Sequence, residues 1–338
     1  MYETKMLAAD EAGIAEAAAL LRRGEVAGMP TETVYGLAAD ALNSSAVEKI
    51  FIAKGRPQDN PLIVHIADFG MLDGLVRDIP ELAYKCAEAF WPGPLTMILP
   101  KTDRIPLTTS GGLDTVGIRM PSNKTARALI KAAGVPLAAP SANLSGSPSP
   151  TKAAHVFSDM NGRIPCIIDD GSCAVGVEST VIAFEGSAIR LLRPGFVSAD
   201  ELREISGEVI IDKGVTEAVA NDAKAASPGM KYKHYAPKAE ITIIDAGTAA
   251  FIGYCSSKAA ADDVLMVFDE SEAQGLRQRC IAYGKTDEEQ ARRLFDVLRQ
   301  LDEIGAKKVY ARCPSKDGVG LAVYNRLLRA AAFRVIKL

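Results

Sequence analysis

The chain has 338 residues, more than one compact core usually takes, so two domains are expected. Hydrophobic residues make up 48% of it, enough for ordinary cores, and 39 Lys and Arg against 42 Asp and Glu leave a net charge of −3. That balance excludes a protein whose main work is non-specific nucleic-acid binding, which needs a basic surplus, but leaves room for a local basic cleft.

No apolar run approaches the roughly 20 residues that span a bilayer, so no membrane contact is expected. The first residues, MYETKMLAADEAG, lack the basic and apolar regions of a secretory signal. The cysteines (86, 166, 173, 255, 280 and 313) are scattered, with no C-x-x-C pair, which fits a reduced, cytoplasmic protein. His65, His155 and His234 lie far apart, and no metal site built on local spacing is expected.

In chain order, Glu11 to Arg23 reads as a helix that Gly24 stops. A strand follows at Val26 to Met29. Ser45 and Glu48 have capping-box spacing, and Val47, Ile50 and Phe51 give the next helix one apolar stripe that runs out near Lys54. Leu62 to Ile66 reads as a strand, and Glu81 to Phe90 as a helix with Pro80 at its first position. Trp91-Pro92-Gly93-Pro94 turns into a strand at Leu95 to Leu99. Val116 to Met120 and Leu137 to Ala139 read as buried strands around a helix from Lys124 to Ala133. Further strands are expected at Ile167 to Asp169, Ser179 to Phe184 and Ile189 to Leu192, then a helix from Ser198 with Glu201 completing a capping box.

Residues 1–206 thus read as one α/β domain. Periodicity lapses over 207–238, where the basic, aromatic stretch 227–237 reads as an interdomain linker or a lid over a substrate. From Ile241 onward strands alternate regularly with helices. Strands are expected at Ile241 to Ile244, Val264 to Phe268, Cys280 to Tyr283, Lys308 to Ala311 and Phe333 to Ile336. Helices are expected at Thr248 to Ala260, Asp287 to Ile304 (capped by Thr286 with Glu289) and Leu321 to Ala331. This alternation over 239–338 implies a small, mainly parallel sheet with both faces covered.

No P-loop and no dinucleotide fingerprint is present, which sets aside the commonest kinase, GTPase and dehydrogenase chemistries. What stands out instead is Lys54-Gly55-Arg56-Pro57, a turn stiffened by glycine and proline that holds two cations. PTETVYGL precedes it and NPLIVHI follows it. Arg119 and Arg193 each end an apolar strand before a turn, and residues 141–149 form a loop dense in hydroxyl and amide groups. Cations and hydroxyls at strand ends can converge on a pocket for a polyanion, and preorganised positive charge favours attack on a phosphoryl group. Each piece has a plainer reading too. Arg119 and Arg193 could be surface arginines, His65 a satisfied core histidine, the 141–149 loop a solvated turn, and Ser179 a strand hydroxyl. No serine sits in a G-x-S-x-G elbow, so no Ser-His-Asp triad is expected.

Taken together, PTETVYGL, KGRPQDNPLIVHI, FWPGPLTMIL, VGIRMP, APSANLSGSPSPT, GVESTVI, LLRPG and SPGMKYKHYAP resemble the threonylcarbamoyl-AMP synthase family, in its two-domain branch. The resemblance implies a YrdC-like twisted α/β catalytic domain followed by a smaller Rossmann-like domain. It implies a nucleotidyltransferase that makes L-threonylcarbamoyl-AMP from L-threonine, bicarbonate and ATP. Mg2+ would accompany the nucleotide, and the product would go to tRNA by way of a separate transfer machinery. By the same resemblance Thr33, His65, Arg119, Ala139 and Ser179 would surround threonine. Arg56, Asn60, Thr115, Ser141, Ser149, Arg193 and Tyr235 would hold ATP, with Lys54 and Arg56 as the catalytic cations. The rivals are a carbamoyltransferase of the hydrogenase-maturation type, whose acylphosphatase and zinc-finger parts this chain lacks, and a non-catalytic RNA-binding module.

Overall fold

The computed structural model describes residues 2–217 and 235–338. The expected lid segment is therefore outside the described residues apart from Tyr235, Ala236 and Pro237. The first domain runs β1 (Lys5–Ala8), α1 (Glu11–Arg22), β2 (Ala27–Met29), β3 (Gly36–Asp40), α2 (Ser44–Lys54), β4 (Ile63–His65), α3 (Glu81–Phe90), β5 (Leu95–Pro100), the single turn α4 (Leu107–Ser110), β6 (Thr115–Arg119), α5 (Lys124–Ala133), β7 (Leu137–Ala138), α6 (Ala153–Met160), β8 (Cys166–Asp169), β9 (Thr180–Glu185), β10 (Ala188–Arg193), α7 (Ala199–Ser206) and β11 (Val209–Ile211). The second runs β12 (Glu240–Asp245), α8 (Thr248–Lys258), β13 (Val264–Val267), β14 (Arg279–Ala282), α9 (Asp287–Glu303), β15 (Lys308–Arg312), α10 (Gly320–Ala330) and β16 (Val335–Lys337).

All strands of the first domain join one mixed sheet in the order β1-β8-β2-β3-β7-β4-β6-β5-β9-β10-β11. The second domain has a five-stranded sheet, β14-β13-β15-β12-β16, in which every pairing is parallel, as the strand–helix alternation predicts. Helices α8, α9 and α10 cover it, and Ile241, Ile243, Met266, Leu294, Phe295, Leu298 and Leu327 form its core.

Local signals carried well where they were local. Ser198 and Glu201 form the capping box of α7, and Thr286 accepts from the Glu289 amide at the start of α9. At α2 the cap is different from the one expected. Asn43, not Ser45, caps it, with Oδ1 accepting from the amides of Ser45 and Ala46 at 3.1 and 3.2 Å, so the helix has already begun when Ser45 is reached. Pro80 is likewise the cap of α3 rather than its first turn. Four elements carry no clear pattern and are absent from the sequence expectations: β1, whose residues are mostly exposed, β3, built mainly from small residues buried on both faces, the single turn α4 and the short helix α6. β11 lies inside the expected linker and extends the first sheet past residue 206, with Ile189 opposite Val209. It is a short, half-exposed edge strand, and such strands show little alternation.

The two domains are packed tightly. Val34 and Val177 of the first domain join the apolar core of the second. Arg299 of α9 pairs with Asp159 of α6 at 2.8 Å, and Asn325 of α10 donates to the Val215 carbonyl at 2.6 Å. Backbone approaches backbone at Gly176, which has φ +86°. A Cβ there would lie 2.3 Å from Arg292 Cα and 2.5 Å from the Ala291 carbonyl oxygen of α9. Only glycine fits both the dihedral and the space. Gly176→Ala should therefore destabilise the protein by about 2–4 kcal/mol. Urea unfolding measures this, and a midpoint equal to that of the wild type would show that the interface yields.

Candidate active site

Neighbouring strands of the first sheet build the site. Register sets His65 of β4 beside Arg119 of β6, Arg119 beside Thr96 of β5, and Thr96 beside Val181 of β9. Residues distant in sequence thereby form one row across the sheet. A cleft opens over this row. His65, Arg119, Thr33, Ser179, Arg193 and Arg56 line it, and Ser141 and Tyr235 border it as well.

Arg119 is almost wholly buried and pairs with Glu32 at 2.7 Å. Its Nη1 donates to Thr33 Oγ1 at 2.9 Å, and Thr33 Oγ1 lies 2.9 Å from Thr31 Oγ1. Burial would push the Glu32 carboxyl up, but the Arg119 guanidinium outweighs this and holds it below its ordinary value. A charged arginine is thus kept in a dry site with one face committed to Glu32.

Across the cleft, Arg193 donates from Nε to the Ser179 carbonyl and from Nη2 to Ser179 Oγ, both at 3.1 Å. Ser179 Oγ also lies 2.7 Å from Thr96 Oγ1. Burial lowers Arg193 to about 10, which leaves it protonated at neutral pH. Beside Ser179, the carboxylate of Glu178 accepts the Ser149 hydroxyl at 2.5 Å and pairs with Arg326 of α10 at 2.9 Å. Desolvation opposes the Glu178 charge, and Arg326, followed by Arg193, more than offsets it, so this carboxyl also sits below its ordinary value.

Lys54, expected as a catalytic cation, does not line the cleft. It is buried, and its ammonium donates to the Ser141 and Asn143 carbonyls, so it lies behind the cleft wall. The physical reason is that a buried ammonium must find acceptors, and the 141–149 loop offers them. Burial, reinforced by the nearby Arg56 charge, pushes Lys54 well below its usual value. Arg56 lines the cleft and donates to the carbonyls of Asn60 and Pro61 at 3.4 and 3.3 Å. Asn60, Ala139 and Ser149 are buried around the cleft without lining it. Thr115 begins β6, at the opposite end of the strand from Arg119, and borders a separate small recess with Pro61 and Ile63. The structure therefore does not bring Thr115 into the cleft.

Tyr235 borders the cleft from the interdomain side. Its backbone has φ +63°, its ring lies 5.2 Å from that of Phe295 in α9, and the next amide, Ala236, donates to the Gly146 carbonyl. Tyr235 and Ala236 thus run along the border of the cleft.

Sequence reasoning passed over Thr31, Glu32, Asn143, Glu178 and Arg326. Glu32 and Glu178 stand inside PTETVYGL and GVESTVI, and an acid inside a segment rich in small and apolar residues is a usable signal of a buried pair. Arg326 stands in the apolar run LAVYNRLLRAA, where the same signal applies.

Among the described residues no group of three or more His, Cys, Asp or Glu could hold a metal ion. Glu178, the carboxylate that borders the cleft, is already committed to Ser149 and Arg326. The described side chains thus do not fit a resident Mg2+.

A family model described as "Telomere recombination" (Sua5/YciO/YrdC) matches residues 19–195, and one described as "Threonylcarbamoyl-AMP synthase, C-terminal domain" matches residues 197–332. The threonylcarbamoyl-AMP synthase of Pyrococcus abyssi is 44% identical over 329 residues, covering 95% of this chain and 94% of its own. That of Bacillus subtilis is 44% identical over 348 residues, covering 99% of this chain and 97% of its own. A crystal structure of P. abyssi Sua5 complexed with L-threonine matches with a TM-score of 0.92 at 43% identity, covering 99% of this chain and 100% of that one. These likenesses define an α/β enzyme of two domains. The chain belongs to the threonylcarbamoyl-AMP synthase family and spans both of the family's domains.

His65 offers a direct test of this geometry. Burial, with the Arg119 charge beside it, lowers its imidazole to about 3, and Nδ1 lies 3.2 Å from the Ile63 carbonyl. The ring is therefore neutral in the folded protein at any working pH. Below about pH 6.5 the unfolded chain takes up a proton that the folded chain refuses. Stability attributable to His65 is then lost as pH falls from about 6.5 toward 3, by at most about 1.4 kcal/mol per unit. His65→Gln should flatten the acid side of the stability curve, read by urea unfolding at pH 7, 6, 5 and 4. Parallel curves for variant and wild type would contradict a buried neutral ring.

Proposed function

We propose that this protein joins L-threonine, bicarbonate and ATP into L-threonylcarbamoyl-AMP with release of pyrophosphate, and so acts as a nucleotidyltransferase. One observation carries the reading: Arg119, Thr33, Ser179 and Arg193, all buried, hold two cations and two hydroxyls together in one cleft. Such a cleft suits two anionic partners and a carbamate that would decompose in water.

Arg119 takes the threonine carboxylate, since it lines the cleft, Glu32 holds one side of its guanidinium and Nε has no hydrogen-bond partner among the described residues. Thr33, Ser179 and the neutral His65 surround the remainder of the amino acid, and Ala139 backs them as a small apolar wall. The threonine amine loses a proton and attacks the bicarbonate carbon, and water leaves as the carbamate forms. A carbamate oxygen then attacks the α-phosphorus, and the bond from phosphorus to the pyrophosphate oxygen breaks. Arg56 and Arg193 meet the phosphates, while Lys54 adds positive charge through the loop it anchors. Asn60, Ser141 and Ser149 remain assigned to the nucleotide, and Tyr235 covers it. Mg2+ enters on the triphosphate and neutralises part of the leaving group's charge.

The mixed anhydride with AMP is an activated acyl group, and its consumer is a transfer machinery acting on tRNA. Among the described residues no helix is long and apolar enough to cross a membrane. All cysteines are free thiols, in keeping with a cytoplasmic setting.

The test is pyrophosphate release from ATP that requires both threonine and bicarbonate, with the product identified by mass. Retention of RNA without turnover would instead favour a binding module. In the active protein, Arg119→Gln should raise KM for threonine by about a hundredfold and change that for ATP far less. Arg56→Ala and Lys54→Ala should abolish product formation while the fold survives. Wild-type kinetics in these folded variants would remove the roles given to the cations.

A further inference from the structure

Arg326 sits in the middle of α10, in the second domain, and none of its surface is exposed. Its Nε donates to Glu178 Oε2 at 2.9 Å and its Nη2 to the Glu178 carbonyl at 3.2 Å. Its Nη1 donates to the Pro194 carbonyl and, at 3.3 Å, to Asn325 Oδ1. One guanidinium thus ties together two loop segments of the other domain. The first contains Ser179, the second follows Arg193, and the Glu178 carboxylate also holds Ser149.

Domain docking does not by itself call for this arrangement. The Arg299–Asp159 pair, the more exposed Lys152–Asp296 pair and the bond from Asn325 to the Val215 carbonyl already join the domains. A buried ion pair is a weak source of stability compared with apolar packing of the same volume. What it does supply is a fixed direction for each hydrogen bond. We propose that Arg326 is a positioning residue for the reaction: from the second domain it orients Glu178, and through it Ser149, and by its bond to the Pro194 carbonyl it fixes the turn that follows Arg193, in the nucleotide half of the cleft. The second domain is in this sense part of the active site. The inference rests on the assignment of Ser149 and Arg193 to ATP given above.

Arg326→Gln, Glu178→Gln and the double variant are compared with wild type for pyrophosphate release, with L-threonine binding measured separately by calorimetry. Asp296→Ala, which breaks the half-buried interdomain pair with Lys152 and the contact to His155 at a residue that does not line the cleft, is the docking control. Each single cleft variant should lose about tenfold or more in kcat/KM for ATP while its threonine Kd stays within about twofold. The double variant should lose no more than the worse single one, because both act through one carboxylate. Asp296→Ala should keep wild-type kinetics. Folded Arg326→Gln with wild-type kinetics, losses that multiply in the double variant, or an equal loss in Asp296→Ala would each overturn the proposal. If Arg326→Gln does not fold, Arg326→Lys replaces it, since it keeps the charge but cannot reach all the acceptors, and the same outcomes apply. Wild-type protein that releases no pyrophosphate would sink the ATP assignment and this inference with it. An active wild type with an indifferent Arg326 sinks the inference alone.

Discussion

Arg119 is buried with the Glu32 carboxylate 2.7 Å away, and the rest of the cleft is arranged around that pair. An unpaired guanidinium at this depth would carry a desolvation cost of several kcal/mol, and removing Glu32 would leave just such a charge. With Glu32 in place the guanidinium is neutralised on one side only. Its Nη1 meets the Thr33 hydroxyl, and its Nε has no hydrogen-bond partner among the described residues. The pairing therefore leaves hydrogen-bonding capacity in a region from which water is largely excluded. An anionic ligand there meets donors that need no reorganisation.

The same solution recurs on the other side. Glu178 stays ionised in a buried position because Arg326 and Arg193 flank it. Here the compensating cation comes from a different domain, so the polar balance of the cleft closes only when the domains are docked. The close approach at Gly176 and the apolar continuity of Val34 and Val177 with the second core hold that docking in one geometry. An interface of this kind resembles the interior of a single domain more than the polar contact of two mobile ones.

How much of this could be read from the sequence follows from the range of each interaction. The capping box at Ser198 and the cap at Thr286 are set within three residues, and both are where the pattern puts them. The parallel second sheet is equally legible, because strand–helix alternation leaves little topological choice. The cationic strand ends at Arg119 and Arg193 and the hydroxyls at Thr33 and Ser179 stand out as residue types at turns. Their convergence does not, since it depends on register between β4, β6, β5 and β9, and register is a long-range property. The elements that escaped notice, β1, β3, α4, α6 and β11, are short, and β3 is buried on both faces, so neither a 2.0 nor a 3.6 period marks them.

Lys54 shows why a conspicuous motif residue and a substrate-facing residue need not coincide. Lys54 and Arg56 share one turn, shaped by Gly55 at φ +61°, yet they point into different surroundings. Arg56 borders the cleft, whereas the Lys54 ammonium is enclosed and gives its protons to the Ser141 and Asn143 carbonyls. Ser141 in turn donates to Asn143 Oδ1, and the Asn143 amide reaches the Leu144 and Ser147 carbonyls, so the lysine anchors a loop already tied to itself. A positive charge so placed acts on an anion in two ways. Its field crosses the thin wall of low polarisability between them, and its hydrogen bonds draw electron density from the loop's peptide groups, which makes their amides better donors. A cation behind the wall therefore contributes to binding without giving up its own hydrogen bonds. In Arg119 and Arg193, by contrast, the donors themselves border the ligand space, and the cleft combines both kinds of positive charge.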